Sequence, residues 1–435
     1  MSNAPAYRRL LNGGKLVVLG NGASAGLGLV LLLLLARTLS PADLAIVVAI
    51  IAVIDGGQMF LDASVNTGMI NVAAREGTRD LPSGEVLRAG FWSKIFAGIV
   101  FGTVIFLVSK PMSTALVGDT SLRLPIMLAG GAAAVSGLYS FVLAVLTAHE
   151  SFKKIALVSL VKNFLRIGVV APFVLFQPPD PRAAAIGIAV ITLAALAISA
   201  PMISWSFLRI KGPLLAPVRR LIGVNSWLFL AALAMLVGRL DVWLVGWLSS
   251  VEQAGLYAVA TQLCVGVGIL TQAVVTTFLP TVSRFESPVE MKDFLTKSAR
   301  LAVPVLLIPL AVWPLSEPLI NLVFGAEYAR SADIFALLFA ASVMTLVGAP
   351  LMLVLLSLGE ARVVAAGSLL QMVLRLGIAA FIIPLAGGFG LAIADVASRL
   401  IAMALIGWFI FRVIRQKMTT ETPDNSGDLT PHADA

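Results

Sequence analysis

Residues Ala254–Ser283 read AGLYAVATQLCVGVGILTQAVVTTFLPTVS, thirty positions without one Asp, Glu, Lys, Arg or His. A helix needs about 20 predominantly apolar residues to cross the hydrocarbon core of a bilayer. Ala183–Leu208 (AAAIGIAVITLAALAISAPMISWSFL) is a second run of this kind. Extending the criterion outward marks twelve candidate spans, near residues 16–36, 43–67, 88–109, 122–148, 155–177, 183–207, 221–247, 254–280, 298–323, 331–357, 361–384 and 387–411. Composition agrees: 12% of the 435 residues are charged, about half the share in a soluble domain. The mean hydropathy is +0.98. The chain reads as an all-α polytopic membrane protein.

The loops between these spans alternate in charge. One set carries twenty Lys and Arg residues, and the other carries five: Arg37, Lys110, Arg123, Arg182 and Arg330. The positive-inside rule places the first set, with both termini, in the cytoplasm. The net charge of +8 therefore reflects basic loops and not a nucleic-acid partner. Met1–Lys15 is polar and basic, and the run after it is long enough to span, so no cleaved leader is expected. Trp92, Trp205, Trp227 and Trp408 fall near one set of span ends. Trp243, Trp247 and Trp313 fall near the other, the pattern of an aromatic belt.

An internal repeat organises the chain. Arg8-Arg9-Leu10 recurs as Arg219-Arg220-Leu221, and Val48-Ala49 as Val259-Ala260, both at an offset of 211. Six spans precede the basic loop at 208–220 and six follow. Both halves then enter from the same side, as parallel repeats do. The expected division is a cytoplasmic N-terminus (1–15), a six-helix bundle (16–207), the inter-bundle loop (208–220), a second six-helix bundle (221–412) and a tail (413–435). From Thr419 the tail is polar and lacks an apolar period, which predicts disorder.

Ten ionisable residues interrupt the spans: Asp55, Asp62, Lys94, Lys162, Arg166, Arg239, Asp241, Arg375, Asp395 and Arg399. Each would cost roughly 2.5–3.5 kcal/mol facing lipid at mid-membrane. They must pair or line an interior cavity, and six of the ten are basic. Such a lumen attracts phosphate or pyrophosphate, which Arg binds bidentately and Lys as a point charge. The expected anion ligands are Lys94, Lys162, Arg166, Arg239, Arg375 and Arg399. Asp55, Asp62, Asp241 and Asp395 would balance the charge or bind a coupling ion.

Spacing refines these roles. Lys162 and Arg166 share a helix face, as do Asp55 and Asp62. Asp395 and Arg399 are spaced for an internal salt bridge. Arg239 and Asp241 fall on nearly opposite faces, so each needs a partner elsewhere. Lys94 lies one turn inside its span, where it either reaches the lumen or snorkels. Gly56-Gly57 after Asp55 predicts a helix break whose carbonyls could coordinate a cation. Gly20, Gly22, Gly26 and Gly28 predict close helix packing.

Other chemistry is missing from the sequence. Cys264 is the single cysteine, and His149 and His432 fall in a loop and in the tail, so no metal-ligand spacing exists. There is no Gly-rich phosphate loop and no nucleophile elbow. Gly387-Gly388-Phe389-Gly390 reads as an external turn. No catalysis and no cofactor are expected, apart from a coupling sodium ion or proton.

Together these residues carry a family resemblance. Leu35–Ile50 (LARTLSPADLAIVVAI), after Arg8-Arg9-Leu10, resembles the first hairpin of Wzx-type polysaccharide flippases. These belong to the multidrug/oligosaccharidyl-lipid/polysaccharide exporter superfamily. Asp241–Leu263 (DVWLVGWLSSVEQAGLYAVATQL) is similar at the start of the second half. Phe278–Phe285 (FLPTVSRF), Leu322–Ala332 (LVFGAEYARSA) and Pro384–Ala394 (PLAGGFGLAIA) fit the same pattern. The resemblance departs at Leu44-Ala45, where the family's first hairpin has a glycine before an aromatic; Gly255-Leu256-Tyr257 keeps that feature. It implies a V-shaped transporter that moves undecaprenyl-diphosphate-linked oligosaccharide to the periplasmic leaflet, coupled to a sodium or proton gradient. The implied partners are that lipid-linked substrate, membrane lipids, and a polymerase with other polysaccharide-assembly proteins. A drug exporter of the same superfamily is the alternative, and it expects a lumen dominated by carboxylates and aromatics. A polysaccharide polymerase or ligase would need larger external loops than this chain has.

Overall fold

The computed structural model describes residues 22–23, 26–75, 84–149, 151–175, 181–223, 236, 238, 240–282, 285, 288–358 and 360–420. All regular structure among them is helical. In chain order the helices are α1 (Gly26–Ala36), α2 (Pro41–Arg75), α3 (Gly84–Val117), α4 (Arg123–Ala148), α5 (Phe152–Leu175), α6 (Pro181–Ser199), α7 (Leu215–Gly223), α8 (Asp241–Leu248), α9 (Val251–Leu263), α10 (Val265–Val282), α11 (Pro288–Val323), α12 (Ala332–Ser357) and α13 (Ala361–Thr420).

Seven helical stretches among the described residues are long and apolar enough to cross a membrane. One of them, Arg362–Val413 within α13, holds two expected spans. The Gly-rich turn expected between these two is a kink at Gly387, with φ 59° and ψ −136°. A Cβ there would also lie 2.6 Å from Gln253 Oε1, but that side-chain end can shift, so the positive φ is what requires glycine.

The span expected at 254–280 is present as the apolar stretch Val251–Val275, with a turn at Cys264 that separates α9 from α10. Two other expectations are corrected. The break expected at Gly56-Gly57 does not occur, and α2 runs unbroken from Pro41 to Arg75. Gly57 is there for contact instead: an added Cβ would meet Phe101 Cε1 at 2.5 Å and Ala133 Cβ at 2.7 Å. The close packing expected of the α1 glycines is likewise not found, since a Cβ on Gly22, Gly26 or Gly28 meets no described atom within 4 Å. Residues 16–21 and 24–25 of the span expected at 16–36, Gly20 among them, and residues 224–235, 237 and 239 of the span expected at 221–247 lie outside the described residues.

Matching caps start α2 and α9. Ser40 Oγ accepts from the Asp43 N–H at 3.2 Å and donates to Asp43 Oδ2 at 2.7 Å, with Pro41 at the first helical position. Ser250 Oγ accepts from the Gln253 N–H at 3.2 Å. In the first half α2 packs on α4 and α6, and α3 on α4. In the second half α12 packs on α10, α11 and α13. The halves meet along α2 and α9, whose buried Leu44, Val47, Leu256 and Val259 belong to one continuous apolar core.

At the end bearing the charge-poor loops this seam is tight. A Cβ on Gly255 would lie 1.8 Å from the Pro41 carbonyl oxygen. Tyr328 donates to the Leu39 carbonyl at 2.9 Å, and Trp243 Nε1 donates to the Ala49 carbonyl at 2.9 Å. Trp243 is therefore a buried seam residue and not part of an aromatic belt. Arg37 donates to the carbonyls of Leu322 and Val323, at 3.1 and 3.2 Å, capping the C-terminal end of α11. Arg330 pairs with Glu252 at 3.1 Å. At the opposite end Arg88 donates to the carbonyls of Ile210 and Gly212, clamping the segment that joins the halves.

Candidate functional site

The charges inside the spans gather into two networks. In the first half, Asp55, Gln58, Met59 and Asp62 recur along α2 at helical spacing, so they lie along one stripe. Lys94, on α3, is 1% exposed. Its Nζ lies 2.8 Å from Asp62 Oδ1 and 2.6 Å from Ser140 Oγ on α4. Ser140 also donates to Asp62. Lys94 therefore does not snorkel; it ties α2, α3 and α4 together.

Lys162 and Arg166 sit one turn apart on α5. Lys162 Nζ lies 4.6 Å from the Tyr139 ring centroid, a cation–π distance, and 3.5 Å from Gln58 Oε1. Asp55, Arg166 and Asp62 are all close enough to act on it electrostatically. Arg166 Nε is buried without a hydrogen-bond partner among the described residues.

In the second half, α8, α9, α12 and α13 converge on a cavity of about 550 Å³. Asp241 opens α8, and Arg375, Asp395 and Arg399 come from the two arms of α13 on either side of Gly387. Arg375 Nη2 lies 2.5 Å from Asp241 Oδ2. Arg375 Nε lies 3.0 Å from Asp395 Oδ1 but has no hydrogen-bond partner among the described residues, so that contact is ionic only. Arg399 Nε donates to Asp395 Oδ2 at 3.0 Å, and Nη1 donates to Thr345 Oγ1. Tyr257 donates to Asp241 Oδ2 at 3.2 Å and accepts from Arg375 at 3.4 Å. The result is a chain of alternating charge, Asp241–Arg375–Asp395–Arg399, bridging α8 and α13.

Sequence spacing foretells the Asp395–Arg399 bridge and a distant partner for Asp241, which proves to be Arg375. Arg239 lies outside the described residues. Gln58, Tyr139, Ser140, Thr345 and Gln371 carry little signal in the sequence, because an uncharged polar side chain does not stand out in an apolar span. The one signal available was position: Gln58 lies three residues after Asp55 and Gln371 four before Arg375, each on the face of a charge.

Charge is unequally divided. The described members of the second network are two cations and two anions. The first half holds three cations, Lys94, Lys162 and Arg166, against Asp55 and Asp62. Asp62 is already bound to Lys94, so the positive surplus falls on Lys162 and Arg166.

The sequence matches a family described as polysaccharide biosynthesis protein over residues 34–333. No curated protein matches it. Among solved structures, an inward-facing multidrug resistance MATE family transporter of the MOP superfamily is similar at a TM-score of 0.74 and 14% identity, covering 92% of this chain and 96% of that one. The lipid II flippase MurJ in an inward closed conformation is similar at 0.72 and 11% identity, covering 94% of both chains. A MOP superfamily transporter from Pyrococcus furiosus is similar at 0.57 and 12% identity, covering 94% of this chain and 96% of that one.

Proposed function

The chain belongs to the polysaccharide biosynthesis protein family and has the fold of the MOP superfamily transporters; on that footing we propose that it flips undecaprenyl-diphosphate-linked oligosaccharide from the cytoplasmic to the periplasmic leaflet of the bacterial inner membrane. The observation that carries this reading is the unbalanced Lys162–Arg166 pair on α5. Two cations one turn apart repel each other unless an anion lies between them. The buried Arg166 Nε has a donor to give, and a diphosphate supplies both the charge and the acceptors.

The loop charges, twenty against five, support cytoplasmic termini. Coupling to a sodium or proton gradient would act at Asp55, whose charge Lys162 feels. The drug-exporter alternative is weakened by the ion pairs: Asp62, Asp241 and Asp395 are each held by an internal cation and are not free for a cationic drug.

Replacing Lys162 or Arg166 by Ala should abolish surface polysaccharide at unchanged protein level, read by immunoblot of the polysaccharide and of the transporter. Normal export by both variants would overturn the anion-binding role. Asp55→Asn should lose the dependence of export on the ion gradient; export that keeps it would remove Asp55 from coupling.

A further inference from the structure

The cleft lined mainly by α8, α9, α12 and α13 differs in chemistry from the α5 cation pair. Its volume of about 550 Å³ is that of a small-molecule site. Its described charges are consumed by one another: Arg375 lies between two carboxylates and Arg399 is held by Asp395 and Thr345. A diphosphate entering here would have to displace carboxylates already at 2.5–3.0 Å from the guanidinium groups. It would also place new negative charge beside Asp241 and Asp395.

The rest of the polar wall is neutral. Thr261, Ser342 and Ser368 donate their hydroxyl protons to carbonyls one turn back, at 2.7 to 3.0 Å. They therefore turn acceptor lone pairs toward the cavity. Gln371 also lines it, and no hydrogen bond ties its amide to a described residue. It offers two donors and an acceptor. Met59 and Met372 complete the wall with adaptable apolar surface. Acceptors and an uncommitted amide beside apolar surface match a neutral polyhydroxylated ligand, whose hydroxyls donate and whose C–H faces are apolar. The two sites share a helix: Gln58 of α2 touches Lys162, and the next residue, Met59, lines this cavity.

We propose that the lumen divides its substrate between the halves, with the diphosphate on Lys162 and Arg166 and the sugar attached to it in the α9/α12/α13 cavity, where Gln371 reads its hydroxyls. The assignment rests on the flippase reading above. It gives Arg375 and Arg399 the task of holding the cavity's shape and neutrality.

The test uses the purified full-length protein in lipid nanodiscs and two probes: undecaprenyl diphosphate alone, and the lipid-linked oligosaccharide fraction extracted from membranes of the source cells. Affinities are read by native mass spectrometry. The wild type should bind the sugar-bearing lipid more tightly than the bare one. Gln371→Ala and Ser368→Ala should each shrink that increment, by roughly fivefold for one neutral hydrogen bond, while affinity for the bare lipid stays unchanged. Lys162→Ala should weaken both probes together. An increment untouched in both cavity variants overturns the proposal, as does a loss of bare-lipid affinity in them, which would put the diphosphate in this cavity. A wild type that binds both probes equally overturns the sugar site alone; one that binds neither overturns the flippase reading as well.

Discussion

Lys94 shows how a single buried charge is stabilised. Its ammonium is withdrawn from solvent and held by Asp62 and Ser140. Asp62→Asn would leave an uncompensated buried cation, a loss of about 3–5 kcal/mol. The expected outcome is a clearly lowered unfolding midpoint in detergent, partly restored in the double variant Asp62→Asn/Lys94→Met. A wild-type midpoint in Asp62→Asn would show that the pair holds nothing together. Arg375 should behave differently from Lys162. Arg375→Ala leaves Asp241 and Asp395 facing each other without their shared cation, so the midpoint and export should fall together. Lys162→Ala should abolish export at a nearly unchanged midpoint, because the attraction to Asp55 that it loses is offset by relief of its repulsion with Arg166, and its other contacts are a 3.5 Å approach to Gln58 and an aromatic face. Thermal melts alongside polysaccharide blots separate the two cases.

At the level of elements, the informative glycines are those whose Cβ would collide. Gly57 lets α2 approach the Phe101 ring and Ala133 within van der Waals contact. Gly57→Val overpacks that contact and should cost about 1–3 kcal/mol. Phe101→Leu in the same chain should recover part of it; a double variant no more stable than Gly57→Val would place the strain elsewhere. Gly255 is less forgiving, because what it meets is the backbone carbonyl of Pro41 and not a flexible side chain. The helix positions themselves were legible, since long apolar runs carry their own signal. The role of Gly56-Gly57 was not: glycine weakens a helix and also admits a neighbour, and only the neighbour decides which use applies. The division at Cys264 was equally hidden, because both sides of it are equally apolar.

At the level of the whole molecule, the halves are sealed at the charge-poor end. Arg37, Tyr328 and Trp243 bond to backbone carbonyls across the seam, and Arg330 joins Glu252 beside it. In the proposed flippase reading, alternating access requires that end to open. Arg37→Ala removes two hydrogen bonds to the end of α11, and at a partly exposed site about 1 kcal/mol in total is reasonable. The closed-to-open ratio should then fall roughly fivefold. In a Cys264→Ser background, a thiol placed at the buried Ala49 should react faster with a membrane-impermeant maleimide when Arg37 is replaced. Equal labelling rates would show that Arg37 does not hold the seam. By itself the sequence determined the class, the helical spans, the sidedness expected from loop charge, and the ten positions where ionisable groups enter the membrane. Each of these follows from the cost of placing polar groups in hydrocarbon, which local composition records. Only the tertiary structure decided which charges cancel. Asp241, Arg375 and Asp395 are up to 154 residues apart, and Lys94 and Asp62 sit on different helices. Pairing depends on distances of about 3 Å between side chains, which a helical period along one strand of sequence cannot supply. That cancellation turns a lumen read as one cavity with an excess of positive charge into a network whose described members are neutral and one unbalanced pair on α5.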